Sequence, residues 1–184
     1  MNKRPKRFDP KSKYVRYDKK SGLWITQRKR LYLYWFKFLR IAEQDPDYQV
    51  DWSKYTGWGG GNYILGTKFD EFWEEKWQSL FGVKVMGGTA KFSLTTNKPK
   101  ADGIRYALLV HQNLHRGSNW EIAKWIAKRE TSKRGAGLTN YTFHYALEDG
   151  SEGADTKMVI QSRVGRYKTA AKKYLSNVCA GSFP

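Results

Sequence analysis

IRYALLVHQNLHRGSNWEIAKWIAKRE, residues 104–130, is the stretch whose reading decides the fold. Ile104 to Leu114 carries apolar residues at helical spacing and runs on to Gly117, a residue that tolerates the left-handed backbone in which helices end. Ser118 then stands at an N-cap, and Glu121 three residues on completes a capping box in front of Ile122, Ala123, Ile126 and Ala127. Helix, short polar turn and capped helix is the order of a helix-turn-helix unit, and equally of a plain αα-hairpin. The second helix carries Lys124, Lys128 and Arg129 with Trp120 and Trp125 between them, and is expected to give way at Thr131 to a mobile basic loop, 131–137, containing Lys133 and Arg134. Such a helix can lie along nucleic acid. On the hairpin reading the same lysines are a solvated face.

Downstream, Asn140–Leu147 reads as a short aromatic helix and 149–153 as a flexible connection. A long helix then begins near Asp155 or Thr156, with Ile160, Val164, Tyr167, Ala171, Tyr174, Leu175 and Val178 in period, Gly165 as a weak point and Gly181 as a stop. At about 100° per residue, Arg163, Arg166 and Lys173 fall on one flank of that stripe, and Lys168 and Lys172 on the other.

Upstream, Thr95–Lys100, with Pro99, marks a boundary between two halves. Before it, Thr67 and Asp70 form a capping pair for a helix with an apolar stripe of Phe69, Phe72, Trp73, Trp77, Leu80 and Phe81, stopped by Gly82. Asp70, Glu71, Glu74 and Glu75 crowd its opening turns, where the helix dipole favours them and where they repel phosphate. That face is expected to point away from nucleic acid and to be available to a protein partner. Val83–Val85 and Lys91–Thr95 alternate about Met86–Gly88 as a small hairpin would. Tyr48–Thr67 has no clean period and reads as an ordered loop. Its Gly61–Lys68 portion falls short of a nucleotide-binding P-loop, because Thr67 precedes Lys68 where the motif needs lysine first. A helix is expected from Gln27 to Gln44 on Leu31, Tyr34, Trp35, Phe38, Ile41 and Ala42, with a strand as the aromatic-rich rival. Gly22–Thr26 is a short strand or a lead-in.

Charge is distributed unevenly over the 184 residues, whose formal net charge is +17. Residues 1–40 hold 14 Lys/Arg and 2 Asp/Glu, residues 41–97 hold 5 and 8, and residues 98–184 hold 15 and 7. Two basic ends around an acidic middle point to a polyanionic partner. Residues 1–21 have too few aliphatic side chains to offset ordering entropy and are expected to be a disordered basic arm. Phe8, Tyr14, Tyr17 and Trp24 are interleaved among the cations of the first forty residues as stacking groups, and Arg28, Lys29 and Arg30 are among those cations. No apolar run of bilayer length and no secretory leader is apparent, so the expected setting is cytoplasmic. The single cysteine, Cys179, excludes an internal disulfide.

Tyr34–Leu39, then Phe69–Trp73 ending in Leu80-Phe81, then Arg166-Tyr167 to Asn177-Val178 and Gly181–Pro184, together resemble small proteins carried by phages and plasmids. That resemblance implies a mobile-element setting and assigns no functional residue. Catalysis has little to stand on. His111 and His115 are spaced as helical metal ligands, with His144 or Cys179 as a third, but Gln112 occupies the place of the metalloprotease glutamate. No metal and no cofactor is expected.

The sequence therefore predicts a mainly α protein with a helix-turn-helix-like C-terminal half and at most a small β-hairpin, divided as an arm (1–21), an aromatic-rich helical region (22–96) and a basic helical region (97–184). The expected function is non-enzymatic nucleic-acid binding, DNA ahead of RNA. The residues assigned to phosphate and base contact are Arg28, Lys29, Arg30, Lys124, Lys128, Arg129, Lys133, Arg134, Arg163, Arg166 and Lys173. Two alternatives stay open: an RNA-binding subunit of a ribonucleoprotein, and an adaptor that binds a host protein through Phe69–Phe81.

Overall fold

The computed structural model describes residues 16–25, 27–85, 88–96, 99–134 and 154–184, without the side chains of 130–134 and 154–156. Among the described residues the chain is mainly helical, with six helices and one three-stranded antiparallel sheet. The helices are α1 (Lys29–Gln44), α2 (Gly60–Gly66), α3 (Phe69–Leu80), α4 (Ala101–His111), α5 (Asn119–Arg134) and α6 (Ala154–Cys179). The strands are β1 (Arg16–Asp18), β2 (Leu23–Ile25) and β3 (Gly82–Val83), in the order β1-β2-β3. The chain divides into two compact units, one of Met1–Pro99 with Tyr174–Pro184, the other of Lys100–Lys173. The last turns of α6 thus count with the first unit, whereas local patterning groups all of 97–184 together.

The first unit is built around α1. Its Leu31, Tyr32, Tyr34, Trp35, Phe36, Phe38, Leu39 and Ala42 are all buried, which covers more than one helical face and makes α1 a central helix. The Trp35 ring lies 5.5 Å from Trp58, 5.8 Å from Phe183, 6.1 Å from Phe92 and 6.3 Å from Tyr55. Each such pair adds about 0.5–1.5 kcal/mol to the burial of the rings themselves. Trp35 Nε1 donates to the Tyr55 hydroxyl at 3.1 Å, which donates in turn to the Val178 carbonyl at 2.6 Å. The Thr95 amide and hydroxyl donate to the carbonyls of Phe183 and Pro184 at 2.9 and 2.6 Å, fixing the C-terminal residues in this core.

Four local expectations for this unit are corrected. Arg16–Asp18, assigned to the arm, form β1: Arg16, Tyr17 and Asp18 pair with Ile25, Trp24 and Leu23, and the Asp18 carboxylate accepts from the Ser21 amide at 2.9 Å. Lys19, Lys20 and Ser21 belong to the turn that follows, and residues 1–15 of the arm lie outside the described residues. The expected hairpin of 83–85 with 91–95 is replaced by pairing of β3 with β2, while Phe92 goes into the aromatic core and its amide donates to the Leu80 carbonyl at 2.9 Å. Within Tyr48–Thr67 there is a 3-10 turn, Trp52–Tyr55, and the helix α2. Helix α2 is held by tertiary contacts that offset its glycines: Ile64 is buried and Arg40 donates to the carbonyls of Leu65 (2.9 Å) and Thr67 (3.3 Å). The Glu43 carboxylate reaches close to Gly61, where a Cβ would stand 2.0 Å from Oε1 and would have to displace that side chain. Lastly, the cap of α3 is Lys68, whose amide donates to Glu71 Oε2 at 3.4 Å, one residue later than the Thr67–Asp70 pair.

In the second unit α4 and α5 are joined by residues 112–118, which include a 3-10 turn at Leu114–Arg116. This is longer than the three or four residues of a compact helix-turn-helix turn. Ser118 caps α5 as expected, its hydroxyl accepting from the Glu121 amide at 3.2 Å. Tyr106 and Val110 of α4, Ile122, Ala123, Ile126 and Ala127 of α5, and Ile160 and Val164 of α6 form one buried cluster. The Asn119 side chain donates to the Gln161 carbonyl at 3.1 Å, and α6 runs through Gly165 without a break. Helix α5 continues to Arg134, so the loop expected from Thr131 does not begin there; no glycine or proline intervenes before Gly135. The helix expected at 140–147 lies outside the described residues.

Candidate nucleic-acid interface

Arg28 is the N-cap residue of α1 and makes no side-chain cap bond, and Lys29 and Arg30 follow in a first turn that contains no carboxylate. Three cations therefore stand at the positive end of a helix dipole, which is unfavourable unless an anion is near. One anion belongs to the chain itself. Lys29 Nζ lies 2.7 Å from Asp70 Oδ1 and 5.6 Å from the centroids of Phe69 and Trp73. The acidic opening of α3 was expected to stand apart from the phosphate-binding residues; for Asp70 and Lys29 it does not. Farther along α3, Glu75 accepts from Tyr63 and pairs with Lys76 at 2.5 Å. The hydrogen bonds from Lys76 and then Tyr63 hold the Glu75 carboxyl below its usual range. Desolvation, followed by the bond to Glu75, pushes the Tyr63 phenol up to about 12.

The second unit presents its cations differently. On α5, Lys124 is tied to Glu121 at 2.8 Å, while Lys128 and Arg129 are exposed. The Arg129 guanidinium lies 5.1 Å from the centroid of the half-buried Trp125 ring. Arg116, from the turn before α5, lies 4.5 Å from the same ring. Its Nε donates to Asn113 Oδ1 at 2.6 Å, and the buried Asn113 amide donates to the Leu109 carbonyl at 2.7 Å, so Arg116 is aimed by a side chain fixed to α4. A planar guanidinium matches phosphate geometry, and an indole within cation–π range adds to its attraction. Lys157 lies 5.5 Å from the Trp120 centroid. On α6, Arg166 and Lys173 are exposed and Arg163 is half-buried. Lys128, Arg166, Lys168, Lys172 and Lys173 have no hydrogen-bond or ion-pair partner among the described residues. Lys133 and Arg134 belong to the last turn of α5, with side chains outside the described set.

The eleven residues singled out from sequence thus fall into two groups, three at the start of α1 in the first unit and eight on α5 and α6 in the second. Arg116 and Lys157 were missed. Each meets its tryptophan across a turn or from another helix, so no spacing along the chain announces the pair.

The histidine pair does not share a helix face, because α4 ends at His111 and His115 sits in the 3-10 turn. Among the described residues no three His, Cys, Asp or Glu side chains are grouped to hold a metal ion. Burial pushes the Cys179 thiol up, away from the thiolate that nucleophilic chemistry needs. Gly61–Gly66, within the stretch compared with a P-loop, is helical and offers no loop to wrap a phosphate. Among the described residues no helix is long and apolar enough to cross a membrane. No protein-family model, no curated protein and no solved structure matches this chain.

Proposed function

We propose that this chain is a non-enzymatic, cytoplasmic nucleic-acid-binding protein of a phage or other mobile element, and that its partner is DNA gripped through phosphates by the second unit. The observation that carries the reading is the set of five cations, Lys128, Arg166, Lys168, Lys172 and Lys173, without an anionic partner among the described residues. Some lysines are paired within the chain, Lys29 with Asp70, Lys76 with Glu75 and Lys124 with Glu121, whereas these five are not. Unneutralised cations on one small unit repel each other, and a polyanion removes that repulsion while releasing its own counterions. Arg116 and Arg129 beside Trp125 add rigid donors of the kind that grip phosphate. The aromatic side of α3 favours no adaptor role, since Phe72, Trp73, Trp77 and Leu80 are buried; a protein partner would meet its carboxylates instead.

Gel shifts of the full chain with duplex DNA, single-stranded DNA and structured RNA at two salt concentrations test the reading. Duplex DNA is expected to bind, and more weakly at the higher salt. Replacing Arg163, Arg166 and Lys173 with Gln should weaken all sequences about equally, because phosphate contacts position without specifying. Replacing Lys124, Lys128 and Arg129 should also change any preference between sequences if α5 touches base edges. Unchanged binding in both variants, with the fold retained, removes the second unit from the interface. Tighter binding of structured RNA than of duplex DNA moves the reading to a ribonucleoprotein subunit.

A further inference from the structure

Tyr17 and Trp24 stand directly opposite each other on β1 and β2, so their side chains leave the same face of the sheet. Their ring centroids are 4.9 Å apart. Tyr17 is 50% exposed, and among the described residues every other aromatic side chain is buried or half-buried. A chain that hides its other described rings and shows this one has left a π-face open. On the same face the buried Val83 of β3 stands opposite Trp24, and on the other face Leu23 packs so closely on Gly82 that a Cβ there would lie 2.9 Å from Leu23 Cδ1.

The charge around this pair is complementary to a nucleic-acid backbone. Arg16 precedes Tyr17 on the edge strand, and Lys19 and Lys20 form the turn, all three exposed. Arg16 and Lys19 have no partner among the described residues. The hairpin's carboxylate, Asp18, is held by the Ser21 amide at 2.9 Å and hydroxyl at 2.5 Å, with Lys20 close enough to act on it electrostatically. It is therefore engaged within the turn.

We propose that the β1–β2 hairpin is a stacking platform for single-stranded DNA, with an unpaired base on Tyr17 backed by Trp24 and flanking phosphates at Arg16 and Lys19. An exposed aromatic ring bordered by cations is the arrangement that binds unpaired bases with little regard to sequence. The proposal rests on the nucleic-acid reading above, which also sets the choice of DNA, but it names another surface and an unpaired strand.

The test titrates the full chain into a labelled oligothymidylate of about twelve nucleotides, within the span that single-strand binding folds occupy. Tyr17→Ala should weaken binding about 5- to 150-fold, the usual loss for one stacked base, and Tyr17→Phe should stay within about threefold of the parent. Neither should alter duplex affinity or the salt slope, since no phosphate contact is removed. Unchanged oligothymidylate affinity in a folded Tyr17→Ala protein overturns the platform. If that variant does not fold, Arg16→Gln with Lys19→Gln tests the same surface: the salt slope should fall by about 1.4, at roughly 0.7 per single-strand phosphate contact, and no fall overturns the proposal. Oligouridylate binding tenfold tighter than oligothymidylate overturns the choice of DNA. Loss of duplex binding alone would count against the second-unit reading and leave the hairpin result intact.

Discussion

Trp35 and Trp58 are both fully buried in the first unit, yet their indole N–H groups meet different surroundings. Trp35 donates to Tyr55 at 3.1 Å, whereas Trp58 Nε1 has no hydrogen-bond partner among the described residues, and the Trp58 ring stands near edge-on to Phe81, Phe92 and Tyr55, with interplanar angles of 86°, 76° and 81°. A buried donor without an acceptor costs free energy that ring contacts offset only in part. Trp35→Phe should therefore destabilise more than Trp58→Phe, by about 1 kcal/mol, in urea titrations of the two variants. Equal losses would mean that the Trp35–Tyr55 bond contributes little. Tyr55 also sets an alkaline limit. Burial raises its phenol well above the ordinary value of 10, against the opposing bond from Trp35, and Tyr63 is pushed up to about 12. Above pH 10 the unfolded chain gives up these protons while the folded chain keeps them, so the unfolded state binds fewer protons and stability falls as pH rises. Urea midpoints should decline through pH 10–12, and Tyr63→Phe should flatten that decline; a midpoint that rises with pH would contradict the assignment.

Helix α1 begins with three cations and no cap bond, which leaves room for improvement at its first turn. Arg28→Asp should stabilise the protein by about 1 kcal/mol, through a cap and a favourable charge at the dipole, and should weaken nucleic-acid binding if this end meets phosphate. A stability gain without a binding loss would remove Arg28 from the interface. Trp73→Ala or Trp77→Ala on α3 should cost roughly 3–5 kcal/mol, the usual loss on emptying a large buried aromatic site, read from denaturant midpoints. Helices of this kind were legible in the sequence, because Phe72, Trp73, Trp77 and Leu80 on α3, or Ile122, Ala123, Ile126 and Ala127 on α5, state their period within a few residues. Helix α2 was not, because its glycines deny it propensity and its support comes from Arg40 on another helix and from the burial of Ile64. The sheet was hidden for a related reason: β3 pairs with β2, far upstream, while nearby alternation suggested 91–95. Lys128 and Arg129 on α5 and Arg166 and Lys173 on α6 could be read as exposed, since a helical period assigns faces; the half-buried Lys124 and Arg163 could not. Arg116 beside Trp125 and the neutralisation of Lys29 by Asp70 could not, since both arise from contacts between elements.

Charge is the property that organises the molecule as a whole. Its formal +17 is shared by both units, 20 Lys/Arg against 10 Asp/Glu in residues 1–99 with 174–184 and 14 against 7 in residues 100–173, and the second exposes cations that the described chain does not pair. Small proteins carry such an excess at a cost in self-repulsion, and counterion release on a polyanion is the physical return for it. Each phosphate contact to duplex DNA contributes about −0.9 to the slope of log Kobs against log salt concentration. The most direct measurement is that slope for the full chain on a duplex longer than its footprint, beside a variant with Lys128, Arg166, Lys168, Lys172 and Lys173 all changed to Gln. We expect a parent slope of roughly −4 or steeper and a markedly shallower variant slope with the melting temperature preserved. A parent slope shallower than about −1, or a variant slope equal to the parent's, would contradict phosphate binding by these five residues.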